Sequence, residues 1–499
     1  MESPLSPKCK LLSTRLPFAF PLGKEDKEQV STPFIPPIYE LGPDFYDEVR
    51  PAVFPKALLR YRNQDAAESV GLGLLTPQEW QKHFWAFESL PQNIKTPLAL
   101  RYHGHQFRSY NPDLGDGRGF LFAQVRDQDR LLDLGTKGSG TTPYSRRGDG
   151  RLTLKGAFRE ILATELLQSY GVNTSKTFSV FETGESLERH DEPSPTRAGV
   201  LVRLSHSHIR FGTFQRLAFF NQTDNIKKLL HYCVRHYYPH LTGFSEAELA
   251  AEFLRAVSQK TAETVAAWMM AGFVHGVLNT DNMNITGESF DYGPYRFLPV
   301  YDPAFTAAYF DQSGLYCFGR QPSAVLWNLH QLGGALKTAY PELAVPELLE
   351  EFGDTFNVEV QNRLLKRLNL KNPLQEITAI HDLNAELVSG IFQFMDTEKG
   401  AFEQTLYDLH SGASPERLHR SVQKDLYQKE SFNNLRETLA CFEIEDEDKA
   451  RHSYLQTGKA CALVIDELEA LWAPIAEQDD WGPFERKLLE IRSFRGLYG

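Results

Sequence analysis

The segment 275–291 constrains this chain more than any other. It reads His275-Gly276-Val277-Leu278-Asn279-Thr280-Asp281-Asn282-Met283-Asn284-Ile285, and Asp291-Tyr292-Gly293-Pro294 follows a few residues on. Just before it, Phe253, Leu254, Val257, Thr261, Val265, Trp268 and Met269 recur at three- and four-residue steps, closed by Gly272. That spacing predicts a long amphipathic helix with one buried face. A loop rich in side-chain oxygens therefore leaves a buried helix, passes through a β-type segment and meets a second aspartate. Oxygen donors of this kind suit a hard cation, Mg²⁺ or Mn²⁺, rather than zinc. An Asx-rich turn accounts for 279–282 but not for Asp291.

The upstream sequence holds matching parts. The runs 120–125 and 131–134 are strand-like, and Gln128-Asp129 between them suits a hairpin. Lys137 ends the second run, flanked by glycines and small hydroxyl residues but without a Walker A pattern. Leu154, Phe158, Ile161, Leu162 and Leu166 predict a helix over 153–170, with Gly171 as its cap. Glu160 lies on that helix, with Glu165 as its local competitor. A strand lysine, then a helix glutamate, then an Asp/Asn loop and a further Asp is the order in which protein kinases arrange their ATP site. Gly115, Gly117 and Gly119 surround Arg118, either as a loop that lets backbone N–H groups approach an anion or as a tight turn. Strands are expected at 176–182 and 199–204. Arg203 interrupts the second of these, and Arg210 follows it; a buried charge there needs a carboxylate or a phosphate. His103 and His105 have strand spacing and no third ligand, so a structural role is expected.

These elements assign an α+β, bilobal, protein-kinase-like fold. An N-terminal extension (1–37) precedes a β-rich N-lobe (38–215), and a mostly helical C-lobe with a C-terminal extension runs over 216–499. An amphipathic helix is expected at 462–472, and the acidic run 443–448 is expected to be a solvated loop. A net charge of −12 advertises no nucleic-acid-binding surface, although a local basic pocket remains compatible with it. Five cysteines without a C-x-x-C pair imply a reducing, cytoplasmic setting. No run is long and apolar enough for a membrane span. The N-terminus lacks the pattern of a signal peptide.

The ordered motifs G-D-G-R, L-G-T-K-G-S-G-T-T-P-Y-S-R, D-G-R, F-R-E, R-F-G-T-F, H-G-V-L-N-T-D-N-M-N-I, D-Y-G-P-Y and Y-D-P-A-F resemble the selenoprotein O (YdiU-like) family over roughly 38–335. The resemblance implies a pseudokinase-like scaffold that binds ATP in a flipped pose and transfers AMP to protein hydroxyl groups. It implies nucleotide contacts from Gly115, Gly117, Arg118, Asp149 and Gly150, and an ion pair between Lys137 and Glu160. It further implies phosphate contacts from Arg203 and Arg210, Asp281 as base, and Asn282 and Asp291 as metal ligands. Two departures stand out. The family's usual A-G-H-Q-F-G is here His103-Gly104-His105-Gln106-Phe107-Arg108, and the family's C-terminal cysteine or selenocysteine is replaced by an ending without cysteine after Cys461.

The expected activity is metal-dependent protein adenylyl transfer, with ATP as substrate, Mg²⁺ or Mn²⁺ as cofactor and hydroxyl-bearing proteins as partners. Neither nucleic acid nor membrane is an expected partner, and the oligomeric state is left open. Two alternatives use the same parts: a phosphotransferase with an ordinary ATP pose, and a catalytically silent nucleotide-binding scaffold.

Overall fold

In the computed structural model, the described residues are 34–190, 192–374 and 376–498. The expected N-terminal arm lies, up to residue 33, outside them. Eight strands build one sheet: β1 (Tyr46–Glu48), β2 (Leu58–Arg62), β3 (Leu98–Leu100), β4 (Leu121–Asp127), β5 (Arg130–Lys137), β6 (Leu152–Thr153), β7 (Lys176–Leu187) and β8 (Thr196–Ser205). Their order is β1-β3-β4-β5-β8-β7-β2, with β6 pairing on β8, and every pairing is antiparallel. The hairpin between β4 and β5 turns at Gln128-Asp129 as the sequence predicts, with Gln128 left-handed at φ 48°. β7 and β8 run beyond their expected ends.

Both faces of the sheet are covered, so its strands read as nearly continuous apolar runs. Phe122, Phe178, Val200 and Val202 pack with Trp80 and Phe84 on one side, where the Trp80 and Phe178 rings stack at 5.0 Å. Val180 and Leu201 pack with Leu154, Phe158, Ile161 and Leu162 of the helix Leu154–Ser169 on the other. Thr153 caps this helix by accepting the N–H of Gly156 at 3.1 Å, and Gly171 follows its end at φ 76°.

The last sheet strand ends at Ser205 and helices follow from Phe211. The longest, Glu246–Met270, carries the apolar stripe read from the sequence and opens with a capping box between Ser245 and Glu248. Gly272 lies just past its end at φ 58°. With its sheet in the N-terminal half and helices in the C-terminal half, the chain has the α+β organisation of a bilobal kinase-like fold.

The C-terminal helices return to the N-terminal half. Ile465–Gln478 and Gly482–Ser493 bring Trp472 and Phe484 onto Phe158, with ring centroids 5.4 and 5.3 Å away. The first of these begins three residues later than its apolar spacing predicts. The acidic run is not merely a solvated loop. Glu443–Ile444 pairs with Leu370–Lys371, and Asp446 caps the short helix Glu447–Ala450. Among the described residues no helix is long and apolar enough to cross a membrane.

Candidate active site

A cleft of about 830 Å³ is lined by the sheet, the glycine-bearing loops and the segment after the long helix. Strand register brings its charged floor together. In the antiparallel pair β5–β8, Lys137 lies opposite Leu201 and Gly135 opposite Arg203. Opposed residues share a face, so Lys137 and Arg203 both project toward the helix Leu154–Ser169. Gly135 is required there: a Cβ on it would stand 2.0 Å from the ring of His208.

The helix presents Glu160 from below. Lys137 Nζ lies 2.6 Å from Glu160 Oε2 and 2.9 Å from Asp291 Oδ1. Arg203 Nη1 lies 3.5 Å from Asp291 Oδ1 and 3.7 Å from Glu160 Oε1. Arg210 Nη1 lies 3.4 Å from Asp291 Oδ2 and donates to the Asp281 carbonyl at 2.6 Å. Phe290 carries both guanidinium groups over its ring, at 5.1 Å for Arg203 and 4.8 Å for Arg210. Burial alone would raise the Asp291 carboxyl, but Lys137, Arg203, Arg210 and Arg118 hold it well below the usual carboxylate range. Asp291 also adopts the left-handed backbone at φ 64°, a conformation that non-glycine residues keep mainly where surrounding contacts enforce it. Glu165, the competitor on the same helix, faces away and pairs with Arg492 and Arg495.

The loop 275–282 is held from several sides. His275 N–H donates to Gln321 Oε1 at 3.0 Å, Asn328 Nδ2 to the Leu278 carbonyl at 2.9 Å, and Tyr316 OH to Asn279 Oδ1 at 2.9 Å. These bonds set Asp281 at the cleft wall, buried, with its Oδ1 lacking a hydrogen-bond partner. Burial pushes its carboxyl up to about 6, against the opposing pull of Arg210. Arg203 Nε and Nη1 and Arg210 Nε are likewise buried without partners.

Gly115, Gly117, Arg118, Asp149 and Gly150 line the same cleft. Gly115 answers to packing as well as to any ligand: a Cβ there would stand 2.3 Å from the Tyr144 ring. Asp149 pairs with Arg189 at 2.9 Å. Asn282 lies apart from the rest. Its Nδ2 donates to the Val277 carbonyl at 2.9 Å, and it borders a small neighbouring cavity rather than the main cleft. Among the described residues no three His, Cys, Asp or Glu side chains cluster closely enough to hold a metal unaided. Asp291 is the kind of carboxylate that Mg²⁺ takes together with water and substrate phosphates, whereas Asn282 does not line the cleft with it.

Sequence reasoning passed over Asp116, Arg146, Arg147 and Arg189, which also line the cleft. Asp116 is buried, accepts the Leu100 N–H at 3.0 Å and lies 3.7 Å from Arg210. The adjacent pair Arg146-Arg147 inside a glycine-rich stretch was the available signal. Arg189 arrives from a distant hairpin and left none. His103 and His105 sit at the hairpin beside Asp281, where His103 Nδ1 is 2.8 Å from Tyr110 OH and His105 Nδ1 is 2.8 Å from Gln215 Nε2.

The cleft is lined by eight Lys or Arg side chains against five Asp or Glu, although the whole chain carries a net charge of −12. Such a local excess of positive charge is suited to a polyanion. The family model described as "Protein adenylyltransferase SelO" matches residues 28–492. The chain is 42% identical over 476 residues to the protein nucleotidyltransferase YdiU of Trichormus variabilis, covering 92% of this chain and 95% of that one. It is 41% identical over 486 residues to the protein of the same name from Synechocystis sp., covering 93% and 100%. To that of Gloeobacter violaceus it is 43% identical over 459 residues, covering 90% and 92%. With the family model matching residues 28–492 and relatives more than 40% identical along nearly its whole length, this chain belongs to the SelO/YdiU family of protein nucleotidyltransferases.

Proposed function

We propose that this protein transfers AMP from ATP to the hydroxyl groups of Ser, Thr or Tyr in other proteins. The observation that carries this reading is the set of buried, unpartnered guanidinium N–H groups on Arg203 and Arg210, aligned with Lys137 along one wall of the cleft. Buried charged donors left unpaired are costly, and the terminal phosphates of ATP would satisfy them. The innermost wall is charged rather than apolar, which favours phosphates inward and the base outward. The α-phosphate then lies on the Asp281 side. The acceptor oxygen attacks the α-phosphorus, its bond to the bridging oxygen breaks, and pyrophosphate leaves against Lys137, Arg203 and Arg210. Preorganised cations at a leaving group of this kind are a large source of rate. Asp281 Oδ1 takes the hydroxyl proton. Asp291 would hold the metal, which when bound would neutralise phosphate charge, and Asn282 would join it only by turning its amide from the neighbouring cavity toward the cleft. Glu160 positions Lys137. Arg118, Asp149 and Gly150 line the same cleft and would contact the nucleotide.

The free cysteines Cys233, Cys317, Cys441 and Cys461 support a reducing, cytoplasmic setting. Incubation of acceptor proteins with ATP labelled at the α- or the γ-phosphate tests the reaction. Label is expected to enter protein from the α position, with one pyrophosphate released per transfer. Label entering only from the γ position would make the protein a phosphotransferase.

A further inference from the structure

The strands Gly104–Gln106 and Ser109–Asn111 form a hairpin that turns through Phe107 (φ 49°) and Arg108 (φ 65°). Two successive left-handed residues make the turn type that Asn and Gly fill with least strain, yet this chain places large side chains there. The hairpin is fastened to the loop bearing Asp281: His105 N–H donates to Thr280 Oγ1 at 2.7 Å, and Phe107 N–H to Asn279 Oδ1 at 3.1 Å. Phe107 is accounted for by packing, with its ring 5.0 Å from Tyr316 and 5.8 Å from Phe310. Arg108 is not. It is exposed, its guanidinium rests over Trp327 at 5.6 Å, and it makes no salt bridge among the described residues.

Against Phe107 of the same turn stands a pair of exposed aromatic rings. Tyr309 is 80% exposed and Phe310 46%, with ring centroids 5.1 Å apart. Tyr309 and Gln106 line the same cleft as Asp281. The mouth of the cleft on the Asp281 side therefore combines an apolar ledge with an unpaired cation held out on a strained turn.

We propose that this edge docks the acceptor protein. An extended segment places its hydroxyl residue at Asp281, rests an apolar or aromatic side chain on Tyr309 and Phe310, and directs an Asp or Glu at Arg108. The inference rests on the AMP-transfer reading and adds a specificity to it. Continuity with the catalytic cleft and the unpaired charge identify the occupant as an acidic, hydroxyl-bearing protein segment.

The test uses the full chain and fluorescent serine peptides with acidic, basic or neutral flanks, each with and without an aromatic neighbour. Binding is read by anisotropy and transfer by α-labelled ATP. The wild type should bind the acidic, aromatic-flanked peptides tightest. Arg108→Glu should invert the charge preference, with about a tenfold loss for the acidic peptides. Arg108→Gly should abolish the preference while leaving Tm unchanged or higher, because glycine relieves the turn. Phe310→Ala should weaken only the aromatic-flanked peptides. KM for ATP should stay constant in all three. An Arg108→Glu variant that keeps the wild-type ratio of acidic to basic peptides overturns the proposal, as does a KM for ATP that moves as far as that for peptide. So does a wild-type dimer that Phe310→Ser converts to monomer, which would assign the edge to a second copy of the chain. Flank-dependent binding without α-label incorporation would sink the reaction and leave the docking edge standing. Incorporation without flank preference would do the reverse.

Discussion

Replacing Arg203 with methionine separates a ligand-binding role from a structural one. The side chain keeps similar length and apolar volume while the guanidinium is lost. In the structure Arg203 Nε and Nη1 have no hydrogen-bond partner, and the nearest carboxylate oxygens lie at ion-pair distances of 3.5 and 3.7 Å. Asp291 retains Lys137 at 2.9 Å and Arg210 at 3.4 Å, and Glu160 retains Lys137 at 2.6 Å, so neither carboxylate is stranded. The unliganded variant loses some Coulombic attraction and sheds a desolvated charge. These terms nearly offset, giving an expected stability change within about 1 kcal/mol. Phosphate binding loses two charge-assisted hydrogen bonds of roughly 1.5–3 kcal/mol each. The total of about 3–6 kcal/mol weakens ATP binding on the order of 10²- to 10⁴-fold. Calorimetric titration with ATP and magnesium, alongside urea unfolding of the free protein, measures both quantities. A free protein destabilised by several kcal/mol with ATP affinity intact would make Arg203 a structural ion-pair residue and refute the reasoning.

Three further substitutions probe separate parts of the molecule. Asp281→Asn should abolish AMP transfer while ATP affinity stays within about threefold, measured by the same titration, since the change removes a proton acceptor and no phosphate contact. Glu165→Ala leaves Arg492 and Arg495 without their buried partner, at 2.8 and 2.5 Å in the native protein; the cost should be roughly 2–4 kcal/mol in urea unfolding, reduced from a fully buried pair because both arginines are partly exposed. Glu288→Gln concerns pH. Burial raises the Glu288 carboxyl to about 7, above its unfolded value, so the folded protein binds the extra proton and loses stability as pH rises from about 4.5 through 7. The glutamine variant should flatten that slope, removing up to about 3 kcal/mol of pH dependence, as followed by Tm between pH 5 and 7.5.

Features of local origin were legible in the sequence. The β4–β5 hairpin follows from a two-residue polar turn between apolar runs, and the helix bearing Glu160 from its period and the Gly171 that closes it. Lys137 and Glu160 could be paired because their order matched a known arrangement. The apolar period alone does not separate Glu160 from Glu165; the F-R-E motif pointed to Glu160, and the structure gives the physical reason, since both are buried on one helix and only the tertiary partners differ. Arg146, Arg147 and Arg189 escaped notice because no local period marks a loop cation that long-range folding brings to a cleft. The acidic run 443–448 was misread because the strand it forms exists only through pairing with Leu370–Lys371. The return of the C-terminal helices onto Phe158 was illegible for the same reason: an apolar helix face does not name the surface that covers it.

The most direct test of the central claim is the intact mass of an acceptor protein after incubation with ATP, magnesium and either the wild type or Asp281→Ala, followed by mapping of the modified residue. The wild type should add one adenylyl group to a Ser, Thr or Tyr hydroxyl, and the variant none. A mass increase of one phosphoryl group, or equal modification by both proteins, would contradict the account.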